Sequence, residues 1–96
     1  MRRAAKVDAN HAEIVAAFRK LGCSVLHLAS VGGGCPDICV GLNRKSVLVE
    51  IKDGRKSPSA RALTKDEQKF HDEWKGSLFV VEDIEDVINL VKGLEK

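Results

Sequence analysis

Three residues near the middle of the chain have side chains suited to chemistry. They are Asp37, which closes Gly34-Cys35-Pro36-Asp37, and Glu50 and Lys52 of Glu50-Ile51-Lys52. Ile38 to Leu42 and Ser46 to Lys52 are β-rich runs separated by Asn43-Arg44-Lys45, which predicts a hairpin. A two-residue loop of Asn43-Arg44, or a four-residue loop from Leu42 to Lys45, sets Asp37 opposite Glu50; a three-residue loop shifts the pairing by one and separates them. Facing positions bring Cβ atoms within about 4.5 to 5.5 Å, where two carboxylates repel. A divalent cation offsets that repulsion, and hard oxygen donors suit Mg²⁺ or Mn²⁺ better than Zn²⁺. Lys52, two residues beyond Glu50, projects from the same face of the strand. Two acids and a lysine around one cation are the outline of phosphodiester hydrolysis. The cation polarises the phosphate and makes an attacking water more acidic, while the lysine positions or deprotonates that water and balances developing charge. An ordinary Lys-Glu pair on an amphipathic strand shows the same triplet, and the hairpin register separates the two readings.

The elements that would position this set follow from periodicity and punctuation. From Asn10 to Leu21, Ile14, Val15, Phe18 and Leu21 recur at helical spacing and Gly22 marks the stop, with Asn10 and Glu13 spaced as a capping box. Cys23 to Ala29 reads as a short buried strand that ends at Gly32-Gly33-Gly34, read as a flexible stretch beside the Asp37 strand. In the third strand Val47, Val49 and Ile51 point to one face and Leu48, Glu50 and Lys52 to the other. Residues 53–62 read as a mobile loop whose Arg55, Lys56 and Arg61 are either a solvated surface or, beside the site, contacts for a polyanion such as DNA. Thr64 and Glu67 form a capping box that opens a helix to about Trp74, with Phe70 and Trp74 assigned to the core. Ser77 to Val81 is a last strand. Asp83 then caps a helix whose Ile84, Val87, Ile88, Val91 and Leu94 form an apolar stripe. The expected architecture is α/β, ordered α-β-β-β-α-β-α, with a mixed four-stranded sheet flanked by helices in one domain over residues 1–96.

Ninety-six residues support one core and leave no room for a separate binding domain beside a catalytic one. No apolar run approaches the roughly 18 to 20 residues that span a bilayer, and the Met-Arg-Arg start lacks a signal-peptide stretch, so a cytoplasmic location is expected. Cys23, Cys35 and Cys39 are then expected as reduced thiols. The net charge of +2 divides unevenly: residues 1–75 carry fourteen Lys or Arg against nine Asp or Glu, and residues 76–96 carry two against five. The basic portion permits a polyanionic partner, although a solvated charged face produces the same count.

Gly34-Cys35-Pro36-Asp37, a hairpin, and then Glu50-Ile51-Lys52 on an apolar strand resemble the PD-(D/E)xK nuclease superfamily. Leu63-Thr64 with Gln68 in the following helix resembles the LxxxQ signature of its VRR-NUC branch, and Phe79-Val80-Val81 before an acidic helix start fits as well. One departure is Lys65, where the branch commonly has Pro after the Thr64 position. The resemblance implies a restriction-endonuclease-like core and a Mg²⁺-dependent endodeoxyribonuclease, with Mn²⁺ able to substitute, that leaves a 5′-phosphate. It implies Asp37, Glu50 and the Ile51 carbonyl as metal ligands, Lys52 as the catalytic lysine, and Gln68 completing the site from its helix. Glu13 matches an acidic residue that the superfamily often places near the metal from its first helix. It further implies a phage-borne homodimer acting on branched or four-way-junction DNA in a bacterial host, for which a two-fold axis is suited. His71, one turn after Gln68, is a secondary candidate. Two other classes remain: a non-catalytic DNA-binding module, and a small zinc-stabilised domain drawing on Cys23, His27, Cys35 and Cys39, whose spacing lacks the usual tight knuckles.

Overall fold

In the computed structural model, which describes residues 7–96, the order is α1 (His11–Lys20), β1 (Ser24–His27), β2 (Ile38–Leu42), β3 (Lys45–Ile51), α2 (Lys65–Glu73), β4 (Leu78–Val81) and α3 (Ile84–Glu95). The strands form one mixed four-stranded sheet, as the sequence predicts; their order is β1-β2-β3-β4, antiparallel up to β3 and parallel between β3 and β4. The parallel pair requires a crossover, which residues 52–77 and α2 supply.

The β2–β3 connection is the two-residue loop. Asn43 and Arg44 both take positive φ, 54° and 62°, the backbone of a type I′ turn, which matches the twist of a hairpin. The resulting register pairs Ile38 with Val49 and Val40 with Val47. These four residues, with Ile51 and Val81, form the buried face of the sheet. Ile14, Val15 and Phe18 of α1 and Val87, Val91 and Leu94 of α3 complete one apolar core against it. Burial of such side chains is worth about 1.5 to 3 kcal/mol each before chain entropy is counted.

Helix α1 ends in a Schellman motif. The Cys23 N–H donates to the Phe18 carbonyl and the Gly22 N–H to the Arg19 carbonyl, both at 3.0 Å, with Gly22 at φ 92°. Its start differs from expectation, because Asn10 makes no side-chain cap. The Asn10 amide instead donates to the carbonyls of Lys52 (3.0 Å) and Glu82 (3.2 Å), and the residue is buried. Strand β1 is largely exposed rather than buried, as an edge strand with one uncovered face. Ile88 lies 40% exposed, and the half-buried Leu90 packs on the core beside the α3 stripe.

The second face of the sheet is covered unevenly. Helix α2 buries none of its residues, so the core assignment of Phe70 and Trp74 is incorrect. The two rings stack on each other at 5.4 Å, and Trp74 is 46% exposed. Among the described residues no helix is long and apolar enough to cross a membrane.

Candidate active site

The unburied face of β3 becomes buried only at its C-terminal end. Glu50 is 3% exposed and Lys52 8%, although both are charged residue types. Each is positioned by backbone pairing. Glu50 pairs with Val80 in the parallel ladder, and the Lys52 N–H continues that ladder to the Val81 carbonyl at 3.0 Å. One step beyond the Ile38–Val49 pair, the hairpin register sets Asp37 across from Glu50. The Asp37 carbonyl accepts the Leu28 N–H at 2.8 Å, and its Oδ2 accepts the Ile51 N–H at 2.7 Å. The carboxylate is thereby fixed against the Glu50-Ile51-Lys52 backbone.

The electrostatics of the pair are unfavourable without a cation. Burial pushes the Glu50 carboxyl up to about 9, assisted by a hydrogen bond with Asp37 and by the negative charges of Asp37 and Glu67; Lys52 opposes the shift only in part. A contact between two carboxyl groups is a hydrogen bond only while one holds a proton. The other Glu50 oxygen, Oε1, is buried with no partner, a costly arrangement. Two facing carboxylates, one with an orphaned oxygen, fit a small divalent cation. Mg²⁺ commonly takes one or two protein carboxylates and completes its shell with water and phosphate. Among the described residues no three His, Cys, Asp or Glu side chains form a ready-made cage. Burial raises the Cys35 thiol, and the charges of Glu50 and Asp37 raise it further.

Lys52 is held from the opposite side by Glu67 of α2, Nζ to Oε1 at 2.7 Å. Burial pulls its pKa down, but Glu67 and Glu50 outweigh burial and the net shift is upward. Glu67 likewise is pushed up by burial and, on balance, lowered by its bond with Lys52, by the Thr64 N–H and by the Lys52 charge. Three carboxyl groups and one ammonium therefore share one corner, buried at Glu50 and Lys52 and half-buried at Asp37 and Glu67.

The other expected residues are placed differently. Gln68 is exposed and donates to Asp72 on its own helix at 2.8 Å, away from Lys52. The helix residue that reaches the site is Glu67, and a signal for it existed: four residues counted from Leu63 end on Glu67, not on Gln68. Glu13 is exposed and lines a separate groove with Asp53, Arg55 and Glu82, while the charges acting on Glu50 are those of Asp37, Glu67 and Lys52. Ile51 meets Asp37 through its backbone N–H. His71 is half-buried with Nε2 unpartnered, and burial lowers its pKa.

The basic loop is not a free patch. Arg55 forks onto Asp53 (2.9 and 3.0 Å), Lys56 meets Asp8 at 3.1 Å, and Arg61 forks onto Glu82 (3.1 and 2.9 Å) while bonding the Lys56 carbonyl. Arg2, Arg3 and Lys6, the alternative basic end, lie outside the described residues. Gly34 has a role beyond flexibility. Its φ is +80°, and a Cβ there would overlap the Asp66 carbonyl, so the glycine lets the start of α2 rest on the segment that leads to Asp37. Neither Gly34 nor Asn10, which clamps the Lys52 carbonyl, was assigned to the site from sequence.

Comparisons with family models, with curated proteins and with solved structures return no match for this chain.

Proposed function

We propose that this chain is a metal-dependent endodeoxyribonuclease of the PD-(D/E)xK kind. The observation that carries the reading is the Asp37–Glu50 pair, Glu50 buried and Asp37 half-buried, with an unpartnered Glu50 oxygen and the Lys52 ammonium near it. Asp37 and Glu50 would hold Mg²⁺, or Mn²⁺ in its place, with the Ile51 backbone adjacent. When bound, the cation supplies Lewis-acid polarisation of a phosphodiester and acidifies an attacking water. Lys52 contributes a fixed positive charge and spare N–H donors to the phosphate as negative charge builds in the transition state. Burial of the corner limits competing solvent and strengthens each of these interactions.

The reading extends to substrate and assembly. Branched DNA is the proposed substrate and a homodimer the proposed form, because a two-fold pair of sites suits a symmetric junction. Exposed Leu26 and Val80 and half-buried Leu48 share the less covered face of the sheet and offer an apolar surface for a second copy.

The test is Mg²⁺-dependent cleavage of labelled single-stranded, duplex, flap and four-way DNA, with Asp37→Asn and Lys52→Ala alongside and mass measured in solution. Wild type should cut, preferring branched forms. Both variants should lose on the order of 10²- to 10³-fold in rate, as expected when a preorganised electrostatic group is removed. Binding without any cutting would favour the non-catalytic DNA-binding module. Cleavage by Lys52→Ala within about threefold of wild type would remove the lysine from the mechanism.

A further inference from the structure

The Glu67 oxygen that receives the Lys52 ammonium also accepts the Thr64 backbone N–H at 2.9 Å, while the Thr64 hydroxyl accepts the Glu67 N–H at 3.2 Å. The reciprocal box that starts α2 thus fixes the Glu67 side chain. The helix start is itself located by contact with Gly34, three residues before Asp37. One continuous set of contacts runs from the Asp37 segment, through the first turn of α2, to the Lys52 ammonium.

From this geometry we propose that Glu67 is a positioning residue for hydrolysis, clamping the Lys52 ammonium beside the Asp37–Glu50 pair so that its remaining N–H donors face the phosphate. The inference rests on the hydrolase reading above. An ammonium has three donors, and Glu67 takes one. A lysine side chain left free samples many rotamers and must be reordered before it can act. Helix α2 is then not packing for the core, since it buries none of its own residues. Its contribution is the carboxylate at its third position.

Single-turnover and steady-state cleavage in Mg²⁺ should be compared for wild type, Glu67→Ala, Glu67→Gln, Lys52→Ala and the Lys52→Ala/Glu67→Ala double variant. Asp83→Ala serves as a stability control, because it removes the cap of α3 away from the site. Glu67→Ala should lower kcat about 10²-fold with KM little changed, the scale expected when a reacting group is misplaced by about 1 Å. Glu67→Gln, whose amide oxygen can accept the same two donors, should recover most of that loss. Asp83→Ala should lower the melting temperature and leave kcat near wild type. In the Lys52→Ala background the Glu67 change should have no further effect. A readout independent of cleavage is the acetylation rate of Lys52 by mass spectrometry, which should rise in Glu67→Ala and not in Asp83→Ala. If wild type cuts and Glu67→Ala cuts equally well, the inference is overturned while the hydrolase reading survives. If wild type does not cut at all, the hydrolase reading fails and the inference falls with it.

Discussion

The two faces of the β2–β3 hairpin are built from neighbouring residues and do opposite things. On one face Ile38, Val40, Val47 and Val49 pair across the strands, lie at 5% exposure or less, and contain no polar atom to satisfy. On the other face the same register, at the same end of the hairpin, buries Glu50 against Asp37 and leaves one oxygen unpartnered. The first arrangement is what hydrophobic burial selects by itself. The second is stable only because the first holds the strands in register, and it stores an unmet need for positive charge. A fold can carry such a defect at a functional corner when the rest of the core over-determines the geometry.

The comparison is best sharpened by changing one residue on each side. Phe18 is fully buried against the apolar face, and Phe18→Ala should cost on the order of 3 to 5 kcal/mol, read as a drop in the urea midpoint. Glu50→Gln should act in the opposite direction. Glutamine keeps the shape, can donate its amide N–H to Asp37, and needs no proton to stay neutral in the fold, so metal-free stability at pH 8, where the wild-type carboxyl must take one up on folding, should rise as a higher urea midpoint. The variant should also lose the stabilisation that Mg²⁺ gives wild type by mass action. If both substitutions destabilise the metal-free protein alike, Glu50 is an ordinary core residue and the contrast between the faces disappears.

The same contrast has a pH signature. The Glu50 carboxyl sits near 9 in the folded metal-free chain against an ordinary value of 4.5. Between those values the folded state holds a proton that the unfolded chain has released. The stabilisation from that proton is complete below about pH 4.5 and declines as pH rises towards 9, with a slope of at most about 1.4 kcal/mol per pH unit. Mg²⁺ replaces the proton, so the metal-induced rise in melting temperature should grow from pH 5 to pH 8. Thermal melts in EDTA and in Mg²⁺ across that range give the answer, and a metal response independent of pH would mean that the cation binds elsewhere.

Much of this corner was legible before the coordinates. Asn43-Arg44-Lys45 between two β-rich runs predicts a hairpin but leaves its loop length open; the two-residue loop, one of those alternatives, is the one found, and it sets Asp37 across from Glu50 with Lys52 on the Glu50 face. What escaped the sequence were contacts between distant segments. Asn10 is spaced to cap α1 with Glu13, but its amide goes to carbonyls 42 and 72 residues away, which local spacing cannot reveal. From sequence Glu67 reads only as a capping residue, and the family signature points to Gln68 for the site. One residue turns a helix by about 100°, enough to exchange a buried ion pair for a solvent-facing bond to Asp72. Phe70 and Trp74 have core-like spacing, yet periodicity shows which face is apolar and not whether anything covers it.

The smallest expected effect concerns where DNA meets the surface, and it compares the basic loop with helix α2. Arg55 and Lys56 already spend their charges on Asp53 and Asp8, so a phosphate that approached them would displace a carboxylate and release few counterions. Lys65 and Lys69 are exposed on α2, the helix that supplies Glu67, and neither enters an ion pair among the described residues. Each true phosphate contact contributes about 0.9 to the slope of log K against log salt on duplex DNA. Replacing Lys65 and Lys69 with Gln should therefore flatten the slope by up to roughly 1.8, two contacts' worth, and weaken binding to all sequences alike. The Arg55 and Lys56 double substitution should change it by less than about 0.9, the value of one contact. Salt titrations of DNA binding in Ca²⁺, used in place of Mg²⁺ to limit cleavage, measure both. A larger change from the loop pair than from the helix pair would show that DNA breaks those ion pairs on binding, and would move its path from α2 to the segment after Lys52.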